Sequence, residues 1–236
     1  MKKIFKYIFA GMAAMSVVAC SEDALETSPS SSVSGNELLG TATNALVSLN
    51  GVYRAMYTAG VSNSSNTHQC FGITAYNLVA DVMGEDCIMN GQGSGWFWYD
   101  CVYNVKSRYT STGWRSYDMW NGYYTLAEEE TMSGSETEKN YVLGQAYAVR
   151  AYSYFMLAQM FSRTYKGHES EPCVPLYTEP TDIATEGKGR ATIEEVYQQI
   201  TSDLDKAITM LGNSGKRKHI SHINEAVASG IKARVA

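Results

Sequence analysis

The chain has 236 residues, of which 44% are apolar and 18% are charged, so it can bury a core in one or two domains. Its four prolines and twenty glycines exclude a collagen-like or proline-rich protein. The formal charge of −5 argues against a general nucleic-acid binder, because such proteins need a basic surface.

Residues 1–19 have the pattern of a bacterial signal peptide. Three lysines precede an uncharged, mostly apolar run from Tyr7 to Ala19, which is too short to span a bilayer. The run ends in Val-Val-Ala-Cys, which resembles a lipobox, so we expect cleavage before Cys20 and a lipid on its thiol. A plain secretory cleavage site is the alternative. Residues 20–34 then form the lipidated cysteine and a flexible, serine-rich tether.

The other four cysteines are Cys70, Cys87, Cys101 and Cys173. They contain no Cys-x-x-Cys pair, so no zinc or thioredoxin site is expected. An exported protein can form disulfides, and Cys87 with Cys101 would close a short loop. Their pairing stays open, with buried free thiols as the alternative.

The first half of the chain is predicted to form three helices. A capping box at Ser34 and Glu37 precedes the first, whose apolar stripe runs from Ala42 to Met56. A second stripe runs from Ile73 to Met83, and an aromatic face from Trp114 to Tyr124 indicates the third.

The fourth predicted helix has the strongest pattern. Its stripe runs from Leu143 to Phe161 and includes Arg150, a charged residue on an apolar face. A buried arginine needs a partner, and Asp81 and Asp203 are the candidates. We therefore expect Arg150 to form an ion pair within the helix stack.

Two more helices are predicted near the end of the chain. Thr192 and Glu195 form a capping box for a helix that Gly212 closes at its C′ position. The last helix is predicted to begin at Ser221 or His222.

The last predicted helix has no stop signal, because its apolar spacing continues to Val235. We therefore expect the chain to be the N-terminal portion of a longer protein or a truncated product. Helix pairs joined by short loops favour an all-α solenoid of tetratricopeptide-like hairpins, although the Leu143-Gly144-x-x-Tyr147 match to that repeat is degenerate.

Other charged clusters are interpreted as solvated. His219 and His222 are expected in an exposed inter-helix loop behind a basic triplet, and Glu128–Glu130 on an exposed face. No metal, cofactor or catalytic residue is predicted.

Five motifs together resemble the SusD/RagB family. They are Leu49–Tyr53, Gly144–Phe155, Pro175–Leu176, Glu195–Ala207 and Lys232–Val235. The resemblance implies a SusD-like helical domain over residues 35–236. We expect that domain to be incomplete, because members of the family that it resembles are typically more than twice this length. A turn or two of an aromatic helix also looks deleted after Tyr123.

The resemblance implies a non-catalytic surface lipoprotein. Such proteins are anchored to the outer membrane by a lipid and cover a TonB-dependent transporter there as a lid. They bind glycans or other nutrients. A helical scaffold for protein partners and a lipid-anchored glycosidase are the alternatives.

The predicted glycan site is a glycine-rich, aromatic loop from Gly91 to Asp100. Aromatic rings cover the C–H faces of sugars, and polar side chains bind the hydroxyls. Packing in a core or against the transporter is the alternative for these rings. The candidate residues are Trp96, Trp98 and Tyr99, with Asp86, Asn104 and Arg108 as weaker polar candidates.

Overall fold

The computed structural model describes residues 40–57, 72–82, 84–86, 132–179 and 184–236. In chain order the elements are α1 (Ala42–Ala55), α2 (Gly72–Val82), α3 (Glu136–Phe161), β1 (Pro172–Pro175), β2 (Arg190–Thr192), α4 (Ile193–Gly212) and α5 (Glu225–Val235). The predicted helical fold is confirmed, and in the described ranges only one two-stranded sheet departs from it. The predicted Ser34–Glu37 capping box and the helix from Trp114 to Tyr124 lie outside the described residues.

Helix α1 packs its predicted apolar face against α3. Thr41 caps the helix by accepting a hydrogen bond from the N–H of Asn44 (3.1 Å). The N–H of Ala42 donates to the carbonyl of Ser133 (2.9 Å), which fastens the start of α1 beside the start of α3. The apolar residues shared by the two helices are Ala42, Ala45, Leu49, Val52, Val142, Leu143 and Val149.

Helix α3 is the centre of the described fold. A capping box between Ser135 and Glu138 begins it, and 17 of its 26 residues are buried. A helix buried around its circumference must have neighbours on every side, and α3 contacts α1, α4, α5 and β1. The predicted stripe is correct except at Phe161, which is 44% exposed because the helix ends there.

Helices α3 and α4 pack antiparallel. Gly144 near the start of α3 faces Leu211 near the end of α4, whereas Phe155 late in α3 contacts Tyr197 early in α4. A Cβ atom at position 144 would lie 2.8 Å from the Leu211 Cγ. The close approach of the two helices therefore depends on glycine at this position.

The hairpin between α3 and α4 is the small antiparallel sheet, in which Pro172 pairs with Thr192. Arg190 stabilises it, because its guanidinium donates to the carbonyls of Phe161 (2.7 Å) and Pro172 (2.9 Å). Cys173 is a buried free thiol, and burial raises its pKa. Cys70 lies outside the described residues, and so do Cys87 and Cys101, the two cysteines that could close a short loop.

The capping box that begins α4 is confirmed. Thr192 accepts from the N–H of Glu195 (3.2 Å), and the Glu195 carboxylate accepts from the N–H of Thr192 (2.8 Å). The predicted end is wrong by two residues: Gly212 was expected at C′, but it is the last helical residue and Asn213 is the cap. The chain turns instead at Gly215, whose φ of +75° is a left-handed conformation that suits glycine.

Helix α5 begins later than predicted. Asn224 caps it by accepting from the N–H of Val227 (3.0 Å), so Ser221 and His222 belong to the preceding loop. The helix packs on α4 through Ala228, and Lys232 forms an ion pair with Asp205. Within the described residues, no helix has both the length and the apolar character needed to cross a bilayer.

Candidate functional site

Most of the predicted glycan-binding residues lie outside the described residues. These are Trp96, Trp98, Tyr99, Asn104 and Arg108, and the predicted lipidation site Cys20 also lies outside them. Asp86 is described, and it is exposed just after the end of α2. Glycan binding by the aromatic loop from Gly91 to Asp100 therefore stays a prediction.

A cleft of about 620 Å³ lies between α1, α2, α3, α5 and the loop that precedes α5. The cleft was not predicted. Ligand sites in proteins are commonly apolar concavities that carry a few polar groups. Its lining residues are Asn50, Tyr53, Arg54, Met56, Tyr57, Ile73, Thr74, Val149, Tyr152, Ser221, Ile223, Val227 and Ile231.

Three tyrosine rings and one guanidinium group give this cleft its chemical character. Tyr57 is 64% exposed, whereas Tyr53 and Tyr152 are half-buried. Burial raises the pKa of Tyr152, and the positive charge of Arg234 partly opposes that rise. Arg54 is exposed at the end of α1 and can donate hydrogen bonds without losing a buried partner. The cleft thus combines apolar surface with neutral and cationic donors.

Tyr53 lines the cleft and joins α1 to α3. Its hydroxyl donates to the Gln145 Oε1 atom (2.9 Å) and accepts from the N–H of Ile223 (3.3 Å). The Gln145 Nε2 atom in turn donates to the carbonyl of Tyr141 (2.7 Å), so both ends of this buried amide are paired. Burial raises the pKa of Tyr53 far above its ordinary value, so the phenol stays neutral.

His222 is a buried member of the same network. Its Nδ1 atom lies 2.7 Å from the Tyr141 hydroxyl, and its Nε2 atom lies 2.9 Å from the Asn50 Oδ1 atom. The ring also stacks on Tyr53, with centroids 5.6 Å apart. The prediction that this histidine is solvated is therefore wrong, although its neighbour His219 is exposed.

This network gives a physical role to the motif from Leu49 to Tyr53. Leu49 and Val52 enter the core, whereas Asn50 and Tyr53 lie on the side of α1 that meets His222. The sequence indicated one part of this network, because Asn50 and Tyr53 are three residues apart on a predicted helix and therefore lie on the same face. Nothing local pointed to His222, which is 172 positions from Asn50. In the described part of the chain, no group of three metal-binding side chains occurs.

Arg150 has the buried role that the sequence predicted, and Asp203 is its partner. Its Nε and Nη2 atoms donate to the two carboxylate oxygens of Asp203, each at 2.6 Å. The Nη1 atom donates to the carbonyl of Thr178 (2.9 Å), and Gln199 donates to the Asp203 carboxylate (2.8 Å). The guanidinium also lies 5.4 Å from the centre of the Tyr147 ring. This group therefore holds α3, α4 and the hairpin together.

Comparison with known proteins gives the same family as the motifs. A SusD-like family model, described as starch-binding and associating with the outer membrane, matches residues 27–236. No curated protein matches the chain.

Two solved structures illustrate the likeness in fold. A SusD-like carbohydrate-binding protein from Bacteroides vulgatus ATCC 8482 is 25% identical, with a TM-score of 0.71 over 83% of this chain and 41% of its own. A SusD superfamily protein from Bacteroides thetaiotaomicron VPI-5482 is 22% identical, with a TM-score of 0.61 over 83% of this chain and 42% of its own. The chain thus spans less than half the length of either relative. Through the family match over most of its residues, the chain belongs to the SusD-like family.

Proposed function

We propose that this chain is part of a non-catalytic lipoprotein that binds glycans at the cell surface and passes them to a TonB-dependent transporter in the outer membrane. The observation that carries the proposal is the match of residues 27–236 to a family described as starch-binding and associating with the outer membrane. The structural relative from Bacteroides vulgatus, itself named as carbohydrate-binding, supports it. The lipobox-like sequence supplies the anchor in this proposal, through a lipid on Cys20.

The proposed binding surface is the aromatic loop. Trp96, Trp98 and Tyr99 follow three glycines closely, and indole and phenol rings can stack on the C–H face of a sugar while nearby polar groups bind its hydroxyls. In this proposal Asp86, Asn104 and Arg108 supply those polar groups. Asp86 is exposed, which is the condition that such a contact requires.

The cleft is a second candidate surface for the same ligand. Tyr57 offers an exposed ring, and Arg54 offers donors on the same side of α1. The two surfaces make different predictions, because they use different residues.

Affinity electrophoresis through gels that contain a panel of neutral polysaccharides tests the proposal. We expect at least one glycan to retard the full chain, and the Trp96→Ala/Trp98→Ala variant to lose that retardation. Tyr57→Ala tests the cleft separately. Tyr165→Ala is the matched control, because this tyrosine is also exposed but lies beyond the end of α3 and does not line the cleft.

Each outcome has a distinct meaning. Loss of retardation in the tryptophan variant alone supports the aromatic loop, and loss in Tyr57→Ala alone moves the site to the cleft. Release of reducing ends by the wild-type chain would instead show a glycosidase. Absence of retardation by every glycan would contradict glycan binding and favour a protein scaffold.

A further inference from the structure

The loop between α4 and α5, residues 213–224, is held to the fold by aromatic hydroxyls. The N–H of Lys218 donates to the Tyr141 hydroxyl (2.9 Å), and the N–H of Ile223 donates to the Tyr53 hydroxyl (3.3 Å). His222 lies between the two rings and contacts both. Its side chain, 8% exposed, is the point at which the loop meets both α1 and α3.

A neutral imidazole satisfies every hydrogen bond of this ring. The Tyr141 oxygen accepts the N–H of Lys218, and its own hydrogen is available to the Nδ1 atom of His222, which then acts as the acceptor. With Nδ1 as the acceptor, the proton of a neutral ring sits on Nε2 and is donated to the Asn50 Oδ1 atom. A second proton on Nδ1 would displace the phenolic hydrogen of Tyr141 from this bond.

The charges around the ring also oppose a second proton. Burial is the first cause that lowers the pKa of His222, followed by His219, Lys218 and Arg217 on the same loop. From α1 and α3 the facing titratable groups are Tyr53 and Tyr141. The Glu138 carboxylate on α3 interacts with the charge of Lys218 on this loop.

We propose that His222 is an acid-sensitive latch, whose neutral ring fastens the 213–224 loop to α1 and α3 and whose protonation releases that loop. Release would also remove one wall of the cleft, because Ser221 and Ile223 line it beside Asn50 and Tyr53. The latch depends on hydrogen-bond geometry and is independent of which ligand the protein binds.

The sign of the pH effect follows from linkage. Because the pKa of His222 is lowered in the folded chain, the unfolded chain binds the proton more readily. The contribution of His222 to the free energy of unfolding is therefore fully present above its ordinary pKa of 6.5, and it falls as pH drops below that value. For one proton, the unfolding equilibrium constant rises by at most about tenfold per pH unit. Carboxylates with lowered pKa values, such as Glu195, reduce stability only when pH falls below their ordinary value of 4.5. Their effect therefore lies below the pH range in which His222 titrates.

Urea unfolding of the full chain between about pH 7 and about pH 5 tests the latch. We expect the midpoint of the wild type to fall with pH and that of His222→Gln to change much less. His219→Gln is the matched control, because it removes the exposed neighbouring histidine and should keep the fall. An equal fall in the wild type and in His222→Gln would overturn the proposal.

Hydrogen exchange of the wild type gives a second test, which is decisive even where His222→Gln fails to fold. The amides of Lys218 and Ile223 should lose protection, relative to their intrinsic rates, as pH falls from about 7 to about 5. The amide of Leu204, in the core of α4, should keep its protection. Equal protection of the loop amides at both pH values would contradict a latch.

Discussion

Removing one partner of the ion pair between Arg150 and Asp203 should destabilise the fold more than any surface change. In Asp203→Ala the guanidinium keeps its bond to the Thr178 carbonyl but loses two charge-assisted bonds of 2.6 Å. In Arg150→Ala the carboxylate, whose side chain is fully buried, keeps the amide of Gln199. Each variant therefore leaves one charged group buried in the core without the opposite charge that neutralised it.

The expected magnitude follows from the burial of both side chains, which are 5% and 0% exposed. Breaking such a pair from one side costs about 3–5 kcal/mol of unfolding free energy. In a domain of this size, 1 kcal/mol shifts Tm by roughly 2–4 °C, so Asp203→Ala should lower Tm by roughly 6–20 °C.

Circular dichroism measured during urea and thermal unfolding of the full chain provides the assay. The matched controls are Arg163→Ala and Glu171→Ala, which break an ion pair of 3.5 Å whose side chains are 70% and 41% exposed. Surface pairs contribute about 0–1 kcal/mol, so the controls should stay close to the wild type.

A double variant separates the pair from the general effect of a core substitution. Arg150→Met/Asp203→Leu removes both charges together and replaces them with apolar volume, which is often neutral or stabilising. It should therefore be more stable than either single alanine variant. A cost below about 1 kcal/mol for Asp203→Ala, or a double variant as unstable as the two single losses added together, would refute this reasoning.

Three further substitutions test the helix packing and a helix cap, all by urea unfolding. Gly144→Ala places a Cβ atom 2.8 Å from the Leu211 Cγ and should cost about 1–3 kcal/mol, whereas Gly51→Ala, a helical position with no atom within 4 Å of the new Cβ, should stabilise by up to about 1 kcal/mol. Equal effects at the two glycines would contradict the close approach of α3 and α4. Thr192→Ala removes the N-cap of α4 and should cost about 1 kcal/mol; a variant that unfolds like the wild type would show that the capping box contributes nothing.

Apolar periodicity predicted α1, α3 and α4 well, because each of these helices buries one face or more against a neighbour. The stripe of α1 and the capping box of α4 are visible as local patterns, and the buried Arg150 is visible as a charge that requires an acidic partner, for which Asp81 and Asp203 were the candidates. The predicted ends of the helices were less accurate. Gly212 carries a C-terminal signal, but the left-handed turn falls at Gly215, three residues later.

The polar network was not predictable, for a physical reason. His222 is buried only because Asn50 and Tyr141 supply hydrogen bonds from positions 172 and 81 residues away. Without those partners, a histidine beside three basic residues is expected in solvent. The cleft was missed for the same reason, since its walls come from four helices and a loop. The aromatic loop from Gly91 to Asp100 remains a prediction.

The buried positions of α3 determine how the surrounding elements pack, whereas the exposed positions of those elements can be substituted more freely. Nearly every position from Tyr141 to Ala158 touches a neighbour, so almost any substitution there alters packing. A new binding preference is therefore hard to introduce on α3 without losing stability. An engineer who wishes to redirect this protein to another ligand should leave α3 unchanged and randomise the exposed positions of the elements around it.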